Sequence, residues 1–278
     1  MNGFTLEATS ATRLCRLRHP AVDRLRIRNG RTKAGVRGIS LELVDAAEIR
    51  DVIVDASTSS GISLYQVKDF LISNCSIENA GGPGILADLS TFSGQGVIER
   101  NRIRNAGLDG IVLTSVEGGL IERNVVIDVG QNGIWAQGSE SLDVNRNTVI
   151  GATAAGIAIP SGAATRVVEN IVRGNGSNGI QIGAADATVL GNVITTNTED
   201  GLFVFGDQSL IAGNQAVANG MRGLHFSSAA DRSVYRLNVA RGDLAGGPAC
   251  GAAGGTNDFC NEGAVNSSPN DNFMPSRM

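Results

Sequence analysis

The chain has 278 residues, 42% of them hydrophobic, with 37 glycines, only 4% aromatic residues, and a net charge of −4 from 23 basic and 27 acidic side chains. That hydrophobic content supports a core and excludes global disorder, and no apolar run is long enough to span a bilayer. With basic and acidic residues read as interspersed, no block of positive charge points to nucleic acid, and abundant glycine with scarce aromatics suits a thin, turn-rich β structure.

The start, Met1-Asn2-Gly3-Phe4-Thr5-Leu6, lacks a charged region followed by an apolar one, so no leader is visible. Residues 1–28 are irregular and read as an enlarged N-terminal coil or cap. A repeat then takes over. Gly-Ile or Gly-Leu begins at Gly38, Gly61, Gly84, Gly110, Gly133, Gly156, Gly179, Gly201 and Gly223, at spacings of 23, 23, 26, 23, 23, 23, 22 and 22. Asparagine keeps step at Asn29, Asn74, Asn101, Asn124, Asn147, Asn170, Asn192, Asn214 and Asn238, with Asp51 in the one gap. Two markers locked in phase define a solenoid.

The apolar pattern within a repeat alternates, as strands require. After the glycine come runs such as Ile111-Val112-Leu113 and Ile180-Gln181-Ile182; Ile98, Ile121 and Val144 stand three residues before an asparagine, and Ile103, Val126 and Val149 two after it. Three short strands per coil predict an all-β, single-stranded, right-handed parallel β-helix of about ten coils over 29–240, with three parallel sheets. Stacked asparagines at a recurring bend would bond one another and the backbone as an internal ladder. The glycines, following Asp109, Asn132, Asn178 or Asp200, read as turn positions that need positive φ. The one long coil places an insertion at 88–96, and insertions in repeat proteins map to loops, often on the binding face. From 241 to 278 the pattern fades into a capping segment and tail whose last dozen residues read as disordered. Cys250 and Cys260 close a short loop there, and the spacing is compatible with a disulfide or with two free thiols.

The coil length, the inward Ile and Val positions and the asparagine ladder resemble the pectate-lyase-like superfamily of right-handed β-helices. The resemblance implies that the strand after each Gly-Ile floors a saccharide cleft, flanked by the 88–96 loop, and points to a secreted, periplasmic or cell-surface protein, with a cytosolic one left open. Signatures of the superfamily's enzymes do not carry over. This strand has no lysine, the chain has no Gly-His-Gly or Asp-Pro-His-Asp, and its histidines are His19 and His225.

The outward positions of the glycine strand supply the candidate residues. Tyr65, Asp88, Thr114, Trp135, Gln137, Gln181, Phe203 and His225 are the expected saccharide contacts, because aromatic faces stack on sugar rings and polar groups bond the hydroxyls. Tyr65, Trp135 and Phe203 would follow one another at about 14 Å along the axis. Coil-to-coil packing or oligomer contact, a trimer included, is the competing use of the same aromatics. For catalysis, Asp88 and Asp109 read as an acid/base pair, although Asp109 also suits a turn, and His225 reads as a proton shuttle. Glu99-Arg100 and Glu122-Arg123 read as a solvated charge ladder. No motif calls for a cofactor or a metal, calcium remaining admissible. The reading is therefore a β-helix that binds an extended polysaccharide without cleaving it, with a polysaccharide lyase or glycoside hydrolase on the same face as the alternative.

Overall fold

A computed structural model describes residues 2–7, 16–18, 24–89, 94–243, 259–262 and 266. All the regular structure among these residues is β-strand, and every strand pairs in parallel. The glycine strands form sheet I, eleven strands that include Ile39–Glu42, Ile62–Tyr65, Ile85–Asp88, Ile111–Thr114, Ile134–Gln137 and onward to Leu224–Phe226. Sheet II carries strands such as Asp69–Ser73, Gly96–Glu99 and Leu120–Glu122, and sheet III those such as Ser76–Glu78, Arg102–Arg104 and Val125–Ile127. In the first coils two long strands, Leu25–Lys33 and Ala46–Asp55, run through the bend, so that sheets II and III merge there into one nineteen-stranded sheet. The three expected sheets are present as three ladders, two of which share their first rungs.

The core is a stack of aliphatic columns. Ile98, Ile121, Val144, Val167, Val189 and Ile211 of sheet II and Ile103, Val126, Val149, Val172 and Ile194 of sheet III are wholly buried, facing Ile111, Ile134, Ile157 and Ile180 of sheet I. Each side chain of this size contributes about 1.5–3 kcal/mol on burial.

The asparagine ladder runs from Asn101 to Asn238. Each buried Nδ2 donates to the next asparagine's Oδ1, as from Asn124 to Asn147 at 3.0 Å, and to a carbonyl of the preceding coil, as from Asn124 to Ile98 at 2.8 Å. The first three markers belong elsewhere. Because Arg102 pairs with Ser76, the residue in register with Asn101 is Cys75. The ladder slot in the early coils holds Gly30, Val52 and Cys75, while Asn29, Asp51 and Asn74 sit one residue earlier at left-handed φ of 52°, 55° and 53°. Asparagine and aspartate tolerate that conformation, which is why the marker looks continuous in sequence while its role changes. A second ladder, Asn175–Asn197–Asn219–Asp243, lines the bend after sheet III.

The repeating glycines have a different cause from the one expected. None of the nine glycines of the Gly-Ile and Gly-Leu repeat has positive φ. A Cβ on Gly133 would lie 2.2 Å from Val149 Cγ1 and 2.6 Å from the Gly156 carbonyl oxygen. Sheet I needs glycine because a sheet III side chain presses against its backbone, and the left-handed turns lie at positions such as Arg100, Arg123 and Glu169 instead.

The ends join the solenoid. Residues 2–7 pair with 28–33, and 16–18 pair with 40–42, so the irregular N-terminal segment supplies strands to both large sheets. At the other end Phe259–Asn261 pairs with Leu224–Phe226 as the outermost strand of sheet I. Cys260 is disulfide-bonded, and Cys250, its expected partner, lies outside the described residues, as do 90–93 of the long coil and the last dozen residues. Cys75 is a free, buried thiol.

Candidate functional site

Because side chains alternate along a strand, sheet I presents two outward columns. In one, register places Leu86, Val112, Trp135, Ala158, Gln181, Phe203 and His225 on successive coils. In the other, Glu42, Tyr65, Asp88, Thr114 and Gln137 follow one another without interruption. All eight expected contacts thus fall into two ordered columns, four in each, and His225 ends the first.

The first column is apolar where Trp135 stands. Its neighbours Val112 and Ala158 are 7% and 5% exposed although they point outward. A hollow of about 390 Å³ opens beside the ring, lined by Pro83, Leu86, Asp109, Val112, Gln131, Asn132 and Trp135. The lining combines an aromatic ring, aliphatic side chains, a carboxylate and amides. In the second column Tyr65, at 42%, and Gln137 are exposed.

The two aspartates expected to act together stand at opposite edges of the sheet. Asp88 is in register with Thr114, five residues beyond Asp109. At about 3.3 Å per residue some 16 Å of strand separates their positions, more than the about 5–9.5 Å of glycosidase carboxyl pairs. Asp109 is 8% exposed, and its Oδ1 accepts from Asn132 N at 3.0 Å and from Asn132 Nδ2 at 2.9 Å. Asn132 Oδ1 in turn accepts from Ala155 N, and Asn178 and Asp200 continue the pattern down the edge. Asp109 is thus a rung of an edge ladder that also walls the Trp135 hollow.

His225 sits in a packed group. Its Nδ1 lies 2.6 Å from Asp200 Oδ2, Nε2 is 3.7 Å from Glu262 Oε1, and Phe203 stacks on the ring at 4.8 Å. Arg222, 8% exposed, approaches Asp200 Oδ1 at 3.8 Å. The imidazole is 13% exposed, and the strand at 259–261 pairs alongside it with Cys260 in register with His225. Donor atoms of His225, Cys260 and Glu262 come within 4.8 Å of one another, but the Cys260 sulfur is committed to a disulfide and has no thiolate to offer a metal. Asp200 was read only as a turn residue, and Arg222 and Glu262 went unread in the sequence. The first two occupy the residue before a glycine, the same slot as Asp109 and Asn132, so the repeat itself held the signal. Glu262 had none.

The charge ladder on sheet II is present. Arg123 and Arg146 approach Glu122 at 3.6 and 3.5 Å, and Arg146 reaches Glu169 at 2.7 Å. The arginines are about half exposed, so each pair contributes little to stability. Among the described residues no helix is long and apolar enough to cross a membrane.

A parallel β-solenoid with a ladder-lined core and an aromatic outward column on one sheet defines the class of protein. The family described as right handed beta helix region matches residues 37–194 and 95–239, and the chain belongs to that family. No curated protein sequence matches the chain. Solved structures similar to it include the A-module of the Azotobacter vinelandii mannuronan C-5 epimerase AlgE6, at 13% identity over 98% of this chain and 89% of that one, with a TM-score of 0.64. The A-module of AlgE4 from the same organism is similar at 15% identity over 84% and 83%, with a TM-score of 0.59. The Dettilon tailspike protein gp208 is similar at 12% over 78% and 54%, with a TM-score of 0.53. Likeness at these identities is likeness of fold.

Proposed function

We propose that the protein binds an extended polysaccharide along sheet I, seated against Trp135, and does not cleave it. The observation that carries this reading is the hollow beside Trp135, where an indole face meets Leu86 and Val112 under a rim of Asp109, Gln131 and Asn132. The second column prolongs the surface with Tyr65, Asp88, Thr114 and Gln137, while Gln181 and Phe203 continue the first; at about 4.8 Å per coil this surface suits a chain lying along the axis. Mannuronan, a polysaccharide, is what the similar epimerases act on by name, which supports the ligand class. The disulfide at Cys260 supports an oxidising compartment, hence a secreted, periplasmic or cell-surface location.

Catalysis by the same face has one observation in its favour, the Asp200–His225 pair beside Phe203. That pair is largely buried, His225 at 13% and Asp200 at 7% exposure, and Asp88 and Asp109 are too far apart to share one glycosidic bond, so the binding reading is preferred. The test is affinity electrophoresis and product analysis with a polysaccharide panel, with and without calcium. The expected result is retardation by one polymer without new reducing ends or unsaturated product. Trp135→Ala should weaken that binding on the order of tenfold, about 1.4 kcal/mol. Turnover by the parent protein would overturn the non-catalytic part, and undiminished binding by the variant would overturn the site.

A further inference from the structure

The interspersed charge expected from the sequence is sorted by face in the fold. Of the 23 lysines and arginines, nine lie within residues 1–40 and fourteen beyond. Ten of the fourteen stand on strands of sheets II and III or at the left-handed bend between them, as Arg166, Arg104 and Arg123 do. Three flank sheet I, and each is matched by a carboxylate. Lys68 Nζ lies 2.7 Å from Asp45 Oδ1, Arg232 Nη2 lies 3.2 Å from Asp207 Oδ2, and Arg222, 8% exposed, lies 3.8 Å from Asp200 Oδ1. The last of the fourteen, Arg277, is outside the described residues.

No outward position of the sheet I strands from Ser40 to His225 is a lysine or an arginine. Arg37, whose Nη1 approaches Ser40 Oγ at the start of the sheet, is four coils from Trp135, about 19 Å. Arg16 and Arg18 lie one coil further still. Exposed charges at physiological salt are screened over about 8 Å, so none of these reaches the hollow.

The Trp135 hollow therefore has a carboxylate and two amides at its rim and no cation among the described residues. Asp109 Oδ1 accepts from Asn132 N and Nδ2, and Asp109 Oδ2 accepts no bond among the described residues. The Asn132 amide uses one N–H on Asp109 and its oxygen on Ala155 N, and Gln131 adds a second amide. A free carboxylate oxygen beside amide N–H groups matches hydroxyls, which both give and take a hydrogen bond. A ligand carboxylate would find no guanidinium fork here. It would face the like charge of Asp109 where Leu86, Val112 and the indole displace water, and like charges repel more strongly in such surroundings. A chain with an amine on every sugar fares no better, because one carboxylate stands at the hollow and the other ammonium groups lose hydration against apolar side chains.

We infer that the polysaccharide seated against Trp135 is uncharged, a neutral glycan and not a polyuronate, a sulfated chain or a polyamine; this rests on the polysaccharide reading above and narrows its ligand class.

The test is affinity electrophoresis of the full chain in pairs of polymers that share a backbone and differ in charge. The pairs are hydroxyethylcellulose and carboxymethylcellulose, methyl-esterified and de-esterified homogalacturonan, and the propylene glycol ester of alginate and alginate itself. Glycol chitosan is the cationic probe. Only retardation that Trp135→Ala removes is counted, so that binding on other faces does not enter. One neutral member should retard the protein, its anionic counterpart at least tenfold more weakly at low salt, and the gap should narrow as salt rises. Gln131→Lys, an exposed position, sets a cation at the rim and should narrow the gap at low salt; an unchanged gap would overturn the charge argument. Trp135-dependent retardation by an anionic member or by glycol chitosan that equals or exceeds that by the neutral polymers would overturn the neutral class and leave the binding site standing. Retardation by no polymer, or retardation untouched by Trp135→Ala, would overturn the polysaccharide reading and the neutral class with it.

Discussion

Asn147 shows what one ladder residue holds. Its Nδ2 donates to the Ile121 carbonyl at 2.8 Å and to Asn170 Oδ1 at 3.1 Å, and its Oδ1 accepts from Asn124 N at 2.9 Å and from Asn124 Nδ2 at 3.0 Å. Asn147→Ala strands all of these partners at a wholly buried position. Each unsatisfied buried group costs about 1–3 kcal/mol, so the variant should lose about 3 kcal/mol or more in urea unfolding. Cys75 occupies the same slot with a poorer set of bonds, Sγ lying 3.7 Å from the Ile49 carbonyl oxygen. That oxygen corresponds to the one Asn101 reaches in the next coil, at Ile72. Cys75→Asn should therefore extend the ladder by a rung and raise the melting temperature. Burial pushes the Cys75 thiol up to about 11. At pH 8 it should resist alkylation in the native protein and react on unfolding. The folded thiol holds its proton where the unfolded one has lost it, so its contribution to stability is complete below pH 9, the ordinary thiol value, and is lost as pH rises through about 11.

At the scale of a coil, the glycine column is a packing device. Gly133→Ala places a methyl group into Val149 and the Gly156 carbonyl, both belonging to structure that cannot move without parting two sheets. A loss of about 1–3 kcal/mol is expected from such overpacking, read as a lower urea midpoint with the fold retained. The sequence displayed this column fully, but its cause was hidden. A glycine after Asp or Asn looks like a turn residue, and only the three-dimensional stack shows which side chain presses on it. The ladder was legible where asparagine fills the buried slot, from Asn101 onward. It was misread at Asn29, Asp51 and Asn74, because the same residue types also suit the left-handed position one step earlier. The outward columns of sheet I were legible for a simpler reason: with a period of two, register fixes which side chains share a face. The separation of Asp88 from Asp109 and the companions of His225 were not legible as a pair and a cluster, since both depend on which edge of a strand a residue occupies. The basic excess of residues 1–40, nine lysines and arginines against Glu7 and Asp23, was missed because charge was tallied over the whole chain, where −4 conceals it.

At the scale of the molecule, a solenoid is held by contacts between neighbouring coils, and its terminal coils are its weak points. The last glycine strand, Leu224–Phe226, would offer an open row of backbone groups, and such edges invite pairing with other chains. Here the edge is occupied. Phe259–Asn261 pairs with it, and Glu262 N donates to the Phe226 carbonyl at 2.9 Å. The anchor is aromatic: Phe259 packs on Tyr235 at 5.0 Å and on Phe226 at 6.1 Å, and Phe226 meets Tyr235 at 5.0 Å. Phe259→Asp would set a charge against those rings, so the strand should detach. Leu224, wholly buried at present, would then lose its cover. The expected outcome is a shift toward high-mass species in size-exclusion chromatography and faster hydrogen exchange at 224–226, with amides of the middle coils unchanged. Uniform acceleration along the whole chain would mean instead that the solenoid unfolds as one unit and that the terminal strand contributes to global stability rather than sealing an edge.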